Sequence, residues 1–218
     1  MRTPGHDEDL IIGFLHSEGI IHLRSHIDQI KRIEKNVCEA ILARDYHYDF
    51  SHLQNRMIMS SSCGICGKSN LEAVSFTSKK IPWRSRIVVP GEVISSLSRK
   101  MTDAQALFKE TGGVHAAALF LKDGELLDIA EDVGRHNALD KLIGSNLRID
   151  WKDKIVMVSG RISFEICQKA AMVGAPVLAA IGPASSMAVE VAEEEGITLV
   201  GFVKENGFNI YSCPERIA

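Results

Sequence analysis

The chain has 218 residues, of which 45% are hydrophobic and 24% are charged, a balance that excludes collagen-like, coiled-coil and disordered classes. Its 25 lysine and arginine residues against 28 aspartate and glutamate residues give a net charge of -3, which argues against nucleic acid as the main partner. No run approaches the ~18 apolar residues of a membrane span, and the N-terminus shows no signal-peptide pattern. We therefore expect a cytoplasmic protein without nucleic-acid or membrane partners, built as one large or two small domains.

The predicted elements change in character near residue 108. Before this point, helical spacing of apolar residues predicts a helix over Asp7–Glu18, short strands are expected within Ile20–Leu42, and a long helical pattern follows Pro90. We interpret residues 1–108 as a smaller α+β N-terminal domain.

Residues 109–218 alternate apolar strand patterns with helical ones. The predicted strands are Val114–Leu121, Leu126–Ala130, Lys154–Ser159, Pro176–Ile181 and Ile197–Val203. The predicted helices are Arg135–Ile143, Ser163–Val173 and Ser185–Glu195. Helices between apolar strands indicate crossover connections, so this half is predicted to be an α/β domain with a mixed, largely parallel sheet.

Two of the five cysteines, Cys63 and Cys66, lie three positions apart in a glycine- and serine-rich segment, residues 60–69, which predicts a mobile loop. A structural zinc site would need further ligands from isolated residues such as His47, His52 or Cys38. A thioredoxin-like dithiol would need a strand before the loop and a helix after it, and burial of both thiols is disfavoured by the polar surroundings.

A nucleophilic sulfur site is the favoured interpretation of the same loop. Glycines allow the sulfur to approach a partner closely, Lys68 favours the thiolate, and a second thiol can resolve a sulfur-bound intermediate. Gly67-Lys68-Ser69 also matches the end of a nucleotide-binding P-loop, but the opening glycine would fall on Ser62. The P-loop therefore remains the weaker alternative.

A second polar group is predicted in the layered half. His115 follows a Gly-Gly turn, Asp132, Arg135 and His136 cluster where a helix begins, and Arg161 follows a strand. Such a helix start is suited to phosphate binding, while capping together with a buried ion pair is the structural alternative.

Several longer motifs together resemble the formate dehydrogenase accessory protein family, FdhD. They are Met1–Gly5, Cys63–Lys68, Thr111–Ala118, Glu131–Lys141 and Ser159–Glu165. The resemblance, together with the strand and helix order, implies a cytidine deaminase-like layered fold for residues 109–218. Deaminase activity is rejected, because Ala117 stands where the deaminase signature needs its glutamate and Cys167 lacks a second cysteine. Members usually have a strand-bearing segment before the Thr-Pro-Gly motif, so we expect the N-terminal half to miss an edge strand.

The resemblance implies a sulfurtransferase that carries sulfur as a cysteine persulfide. Cys63 is then the persulfide-bearing residue and Cys66 its partner, and Phe202-Val203-Lys204-Glu205-Asn206-Gly207 contacts the cofactor. The implied client is molybdenum bis(molybdopterin guanine dinucleotide), and the implied partners are a cysteine desulfurase and formate dehydrogenase. A homodimer is also compatible with the apolar strands of the layered half.

Three alternatives stay open. The chain could be a non-catalytic chaperone that only binds and delivers the cofactor, or a zinc-stabilised interaction module. The stretch from Phe202 to Gly207 could be a strand end and a hairpin turn before Phe208–Tyr211, and such a turn could also contact the cofactor.

Overall fold

The computed structural model describes residues 1–50 and 87–218 of the chain. The helices are α1 (Asp7–Ser17), α2 (Gly91–Ala104), α3 (Ala106–Thr111), α4 (Arg135–Ser145), α5 (Phe164–Val173) and α6 (Ser186–Glu195). The strands are β1 (Ile27–Glu34), β2 (Val37–Leu42), β3 (His115–Leu121), β4 (Leu126–Asp132), β5 (Lys154–Val158), β6 (Val177–Ala180), β7 (Thr198–Lys204) and β8 (Gly207–Ser212). The predicted helices after residue 108 are confirmed to within two residues at each end.

Six strands form one mixed sheet in the order β4-β3-β5-β6-β7-β8. The neighbours β5–β6 and β6–β7 are parallel, whereas β4–β3, β3–β5 and β7–β8 are antiparallel. The prediction of a mixed sheet is therefore confirmed, but the prediction that it is largely parallel is wrong. The outer pairs are antiparallel because short turns at residues 122–125 and 205–206 join β3 to β4 and β7 to β8 as hairpins.

The sheet lies between two helical layers. On one face, residues such as Leu119, Val156 and Leu178 pack against apolar side chains of α4, α5 and α6. The opposite face, which includes Phe120 and Met157, packs against α2. Helix α2 buries Ile94, Leu97 and Met101, which recur at helical spacing and so form one apolar stripe.

Helices from the N-terminal side of residue 108 contribute to these layers. Helix α1 lies along α4, and their backbones approach so closely that a Cβ at Gly13 would collide with the carbonyl of Asp140. Strands β1 and β2 form a separate two-stranded antiparallel sheet. The division into domains at residue 108 and the deaminase-like layering stay predictions. Across the described residues, every helix is too short or too polar to cross a membrane.

Candidate functional site

Polar residues from three elements meet at one edge of the central sheet. Strand β3 runs antiparallel to β5, so His115 at its start lies beside Ser159, which follows the end of β5. The Ser159 backbone N–H donates to the Ala116 carbonyl at 2.9 Å, and the Ala116 N–H donates to the Ser159 hydroxyl at 2.9 Å. This reciprocal pair fixes the start of β3 against the end of β5.

Three basic side chains at this edge, His115, Arg135 and His136, form what we call the basic cluster. Burial lowers the pKa of His115, and the nearby positive charges of Arg135 and His136 lower it further. The His115 Nδ1 atom lies 3.3 Å from the Ser159 hydroxyl. A Cβ placed at Gly160 would lie 3.5 Å from both the Arg135 Cδ and the His115 Nδ1 atoms, so Gly160 borders both side chains.

His136 also faces the start of α5. Its Nε2 atom lies 3.4 Å from the Ser163 hydroxyl and 3.8 Å from the Glu165 Oε2 atom. Burial tends to raise the pKa of Glu165, but the His136 imidazole, its own backbone N–H and the Ser163 hydroxyl together lower that pKa below its ordinary value. Glu165 is therefore a buried carboxylate beside His136, and the sequence analysis did not select it as a site residue.

Asp132 and Arg161 differ from the other polar residues predicted here. Asp132 is fully buried, and its carboxylate lies 2.8 Å from the Lys141 ammonium. It also accepts hydrogen bonds from the Gly134 N–H and the Asn137 side chain. The buried ion pair that the sequence analysis gave as the structural alternative is thus present at Asp132. Arg161, by contrast, is exposed and lies beside Gly182, just after β6.

The N-terminal segment is hydrogen-bonded through Thr3 to the Glu131–Lys141 motif. The Thr3 N–H donates to the Asp132 carboxylate at 3.0 Å, and the Thr3 carbonyl accepts from Lys141 at 2.9 Å. The Thr3 hydroxyl accepts from the Val133 N–H at 2.9 Å. No spacing or periodicity in the sequence indicates this contact, since more than 120 residues separate the two motifs.

The predicted cofactor stretch, Phe202–Gly207, forms the β7–β8 hairpin and lies at the same edge of the sheet as His115 and Ser159. Lys204 pairs with Gly207 across the turn, so the hairpin alternative is confirmed. The Phe202 N–H donates to the Gly182 carbonyl at 3.1 Å, which attaches this residue to the end of β6.

Phe202 has an unusual backbone. Its φ is +54°, in the left-handed region that side chains rarely adopt, and the register of β7 and β8 shifts between Gly201 and Lys204. The residue is 41% exposed. Strained backbone of this kind is found most often at functional sites, where the surrounding structure holds it in place.

An open groove of about 520 Å³ separates the hairpin tip from the first half of α2. Glu205, Asn206 and Phe208 line one side, and Ser95 and Arg99 line the other. The Arg99 guanidinium lies 3.3 Å from the Glu205 carboxylate, and both side chains are more than half exposed. Polar groups therefore surround the tip of the predicted cofactor stretch.

The predicted sulfur residues, Cys63 and Cys66, lie outside the described residues. Among the described cysteines, Cys167 and Cys213 are buried and Cys38 is exposed on β2. Within residues 1–50 and 87–218, no group of three or more histidine, cysteine or acidic side chains is arranged to hold a metal ion.

The fold and this edge define a three-layered α/β protein with a basic cluster and an exposed aromatic residue at one edge of its sheet. The family model described as the FdhD/NarQ family matches residues 1–218, and the chain belongs to that family. The resemblance drawn from the motifs is thereby confirmed.

Curated relatives match across the full chain. The sulfur carrier protein FdhD of Mycolicibacterium paratuberculosis is 42% identical over 229 residues, which cover 100% of this chain and 84% of that protein. The protein of the same name from Picrophilus torridus is 45% identical over 221 residues, covering 100% of this chain and 82% of the relative.

A solved structure has the same fold. It is a protein from Desulfotalea psychrophila described as a candidate formate dehydrogenase accessory protein, and it superimposes with a TM-score of 0.76 at 26% sequence identity. The match covers 100% of this chain and 82% of that chain.

Proposed function

We propose that this protein is a sulfur carrier required for formate dehydrogenase activity. The observation that carries the proposal is full-chain similarity, at 42% and 45% identity, to two relatives named sulfur carrier protein FdhD. We further propose that it takes persulfide sulfur from a cysteine desulfurase in the cytoplasm and transfers it to the molybdenum cofactor before the cofactor enters formate dehydrogenase.

The described cysteines support the choice of Cys63 and Cys66 as the sulfur residues. Burial raises the pKa of Cys167 to about 12, and burial also raises the pKa of Cys213. A thiol needs to be deprotonated and accessible in order to attack sulfur, so neither suits the role. Cys38 is exposed, but it has no neighbouring cysteine in the sequence.

The sulfur step balances with the two loop thiols alone. The Cys63 thiolate attacks the terminal sulfur of the desulfurase persulfide, an S–S bond forms on Cys63, and the desulfurase thiolate leaves. When the Cys66 thiolate attacks the Cys63 sulfur, sulfide leaves with the electron pair and a Cys63–Cys66 disulfide remains. The two thiols thus supply the two electrons that reduce the transferred sulfur, and one chain delivers one sulfide before it needs reduction.

We propose that Phe202–Gly207 contacts the client, molybdenum bis(molybdopterin guanine dinucleotide), which supplies the metal that accepts the sulfur. Two features of these residues suit such a ligand. The exposed Phe202 ring offers a stacking surface for a base, and Lys204 is an exposed cation beside a turn suited to a phosphate. Lys204 is the only basic residue in this stretch.

The test compares two cysteine variants in a strain that lacks its own sulfur carrier for formate dehydrogenase. Cys63→Ala is expected to abolish formate dehydrogenase activity, whereas the control Cys38→Ser is expected to retain it, because Cys38 lies on β2 outside the glycine loop. If Cys63→Ala supports full activity, sulfur carriage through Cys63 is wrong and delivery of the cofactor alone explains the requirement.

A further inference from the structure

A serine and a histidine at the edge of the sheet have no role in the sulfur chemistry proposed above. Ser159 follows the end of β5, and its hydroxyl lies 3.3 Å from the Nδ1 atom of His115, at the start of β3. Both residues are half-buried, so neither is closed off from solvent. A hydroxyl beside an imidazole nitrogen is the arrangement from which enzymes build a nucleophilic serine.

The hydrogen bonds around Ser159 direct its proton toward His115. The Ala116 backbone N–H donates to the Ser159 hydroxyl oxygen at 2.9 Å. That oxygen is therefore already an acceptor, and its own proton is available to the His115 Nδ1 atom. Burial and the positive charges of Arg135 and His136 lower the pKa of His115, which favours the neutral imidazole that can accept a proton.

Two backbone N–H groups follow Ser159 directly in the chain. Within the part of the chain that the structure describes, the N–H groups of Gly160 and Arg161 donate to no carbonyl or side-chain acceptor. The N–H groups on either side, those of Ser159 and Ile162, donate to carbonyl oxygens at 2.9 Å and 3.0 Å. In serine enzymes the N–H of the residue after the nucleophile binds the oxyanion that forms during acyl transfer, so the Gly160 N–H stands in the position that this role requires.

Gly160 also leaves space for a substrate beside the histidine. A Cβ at Gly160 would lie 3.5 Å from the His115 Nδ1 atom and 3.5 Å from the Arg135 Cδ atom, which are ordinary contact distances. Because glycine has no side chain, an acyl group can occupy this position and contact His115 without displacing either neighbour.

We propose that Ser159 and His115 act as nucleophile and general base in the cleavage of carboxylic esters, an activity separate from sulfur carriage. The His115 Nδ1 atom accepts the hydroxyl proton while the Ser159 Oγ atom bonds to the acyl carbon, and the Gly160 N–H stabilises the oxyanion. The alcohol leaves with the electron pair of its C–O bond and takes the proton from His115. Water then attacks the acyl carbon and gives a proton to His115, which returns it to the Ser159 Oγ atom as the carboxylic acid leaves.

The experiment incubates the full chain with a fluorophosphonate, whose phosphorus bonds to an activated serine as fluoride leaves, and locates the adduct by peptide mass mapping. We expect wild type to carry an adduct on Ser159 and Ser159→Ala to carry none at that position. The matched control is Ser163→Ala, which is expected to be labelled at the wild-type rate, because Ser163 lies beside His136, at 3.4 Å, and not beside His115.

The base and the ester cleavage are tested separately. His115→Gln is expected to slow labelling by roughly 100-fold, the usual contribution of a general base, whereas His47→Gln, at an exposed position, should be labelled like wild type. Hydrolysis of p-nitrophenyl acetate is measured in a chain that carries Cys63→Ala and Cys66→Ala, so that the loop thiols do not react with the ester. Adding Ser159→Ala to that chain is expected to abolish the hydrolysis.

The peptide map of wild type decides the question even if Ser159→Ala does not fold. A map without an adduct on Ser159 would overturn the inference. Equal labelling rates for His115→Gln and His47→Gln would overturn it as well, and so would equal ester hydrolysis with and without the Ser159 hydroxyl.

Discussion

The carboxylate of Asp132 lies 2.8 Å from the ammonium of Lys141, and both side chains are almost completely buried. The same carboxylate accepts a hydrogen bond from the Thr3 N–H, and Lys141 donates to the Thr3 carbonyl. One buried ion pair thus holds the N-terminal segment against the end of β4 and the beginning of α4. This contact stabilises the backbone that positions Arg135 and His136.

Replacing Asp132 should therefore be costly. Asp132→Asn leaves Lys141 buried without its counter-charge, and we expect a loss of about 3–5 kcal/mol in the free energy of unfolding. The control is Asp150→Asn, at an exposed pair in which Asp150 lies 3.5 Å from Lys152, where we expect about 1 kcal/mol or less. Urea unfolding measures both, and equal losses would contradict the role given to the buried pair.

A second prediction, on stability, follows from the close approach of α1 and α4. A methyl group at Gly13 would collide with the Asp140 backbone, so Gly13→Ala should force the helices apart and destabilise the protein by about 3 kcal/mol or more. Gly113→Ala is the control, because among the described residues a Cβ there meets only the Thr111 carbonyl, at 3.7 Å. If Gly13→Ala unfolds at the same urea concentration as wild type, the two helices do not pack as described.

Much of the layered half was predictable because its elements follow local patterns. The helix expected over Arg135–Ile143 is α4, and the one expected over Ser163–Val173 is α5. The direction of the strands was not predictable in the same way. A buried strand is apolar whether its neighbour is parallel or antiparallel, so the apolar pattern does not give strand direction. The Asp123-Gly124 turn, which joins β3 to β4 as a hairpin, is the local sequence signal for an antiparallel pair.

The site was predictable only in part. The residues of the basic cluster were recognisable because they stand where strands end and helices begin, and the pairing of β3 with β5 brings His115 to the others. The attachment of Thr3 to Asp132 was not recognisable, because it depends on the packing of α1 against α4. The role of Cys63 and Cys66 rests on the sequence and the family, since both lie outside the described residues.

The pKa of His115 predicts a pH dependence of stability. Because burial, Arg135 and His136 lower that pKa in the folded state, the unfolded chain takes up the proton first as the pH falls through about 6.5. The folded state is therefore favoured above that pH and loses stability below it. We expect His115→Gln to lose less stability than wild type between about pH 7.5 and about pH 5.5.

Urea unfolding across that pH range tests this expectation. His47→Gln, which removes an imidazole from an exposed position, serves as the control. A His115→Gln curve parallel to that of the wild type would show that His115 does not resist protonation in the folded chain.

The backbone of Phe202 predicts opposite effects on stability and binding. Glycine adopts a φ of +54° without strain, so Phe202→Gly is expected to stabilise the fold by about 1 kcal/mol. The same change removes the exposed ring and should weaken binding of a guanine nucleotide by roughly tenfold. Ile210→Ala, at a partly exposed strand residue, is the binding control.

Urea unfolding measures the stability of Phe202→Gly, and nucleotide titration measures its binding. A variant that is less stable than wild type yet binds the nucleotide equally well would show that Phe202 is kept for packing.

The most direct test of sulfur carriage is the intact mass of the protein after incubation with a cysteine desulfurase and cysteine. We expect wild type and Cys38→Ser each to gain the mass of one sulfur atom, a reductant to remove this sulfur, and Cys63→Ala to gain none. If the wild-type chain remains unmodified, or if Cys63→Ala gains the same sulfur as wild type, Cys63 does not carry the sulfur.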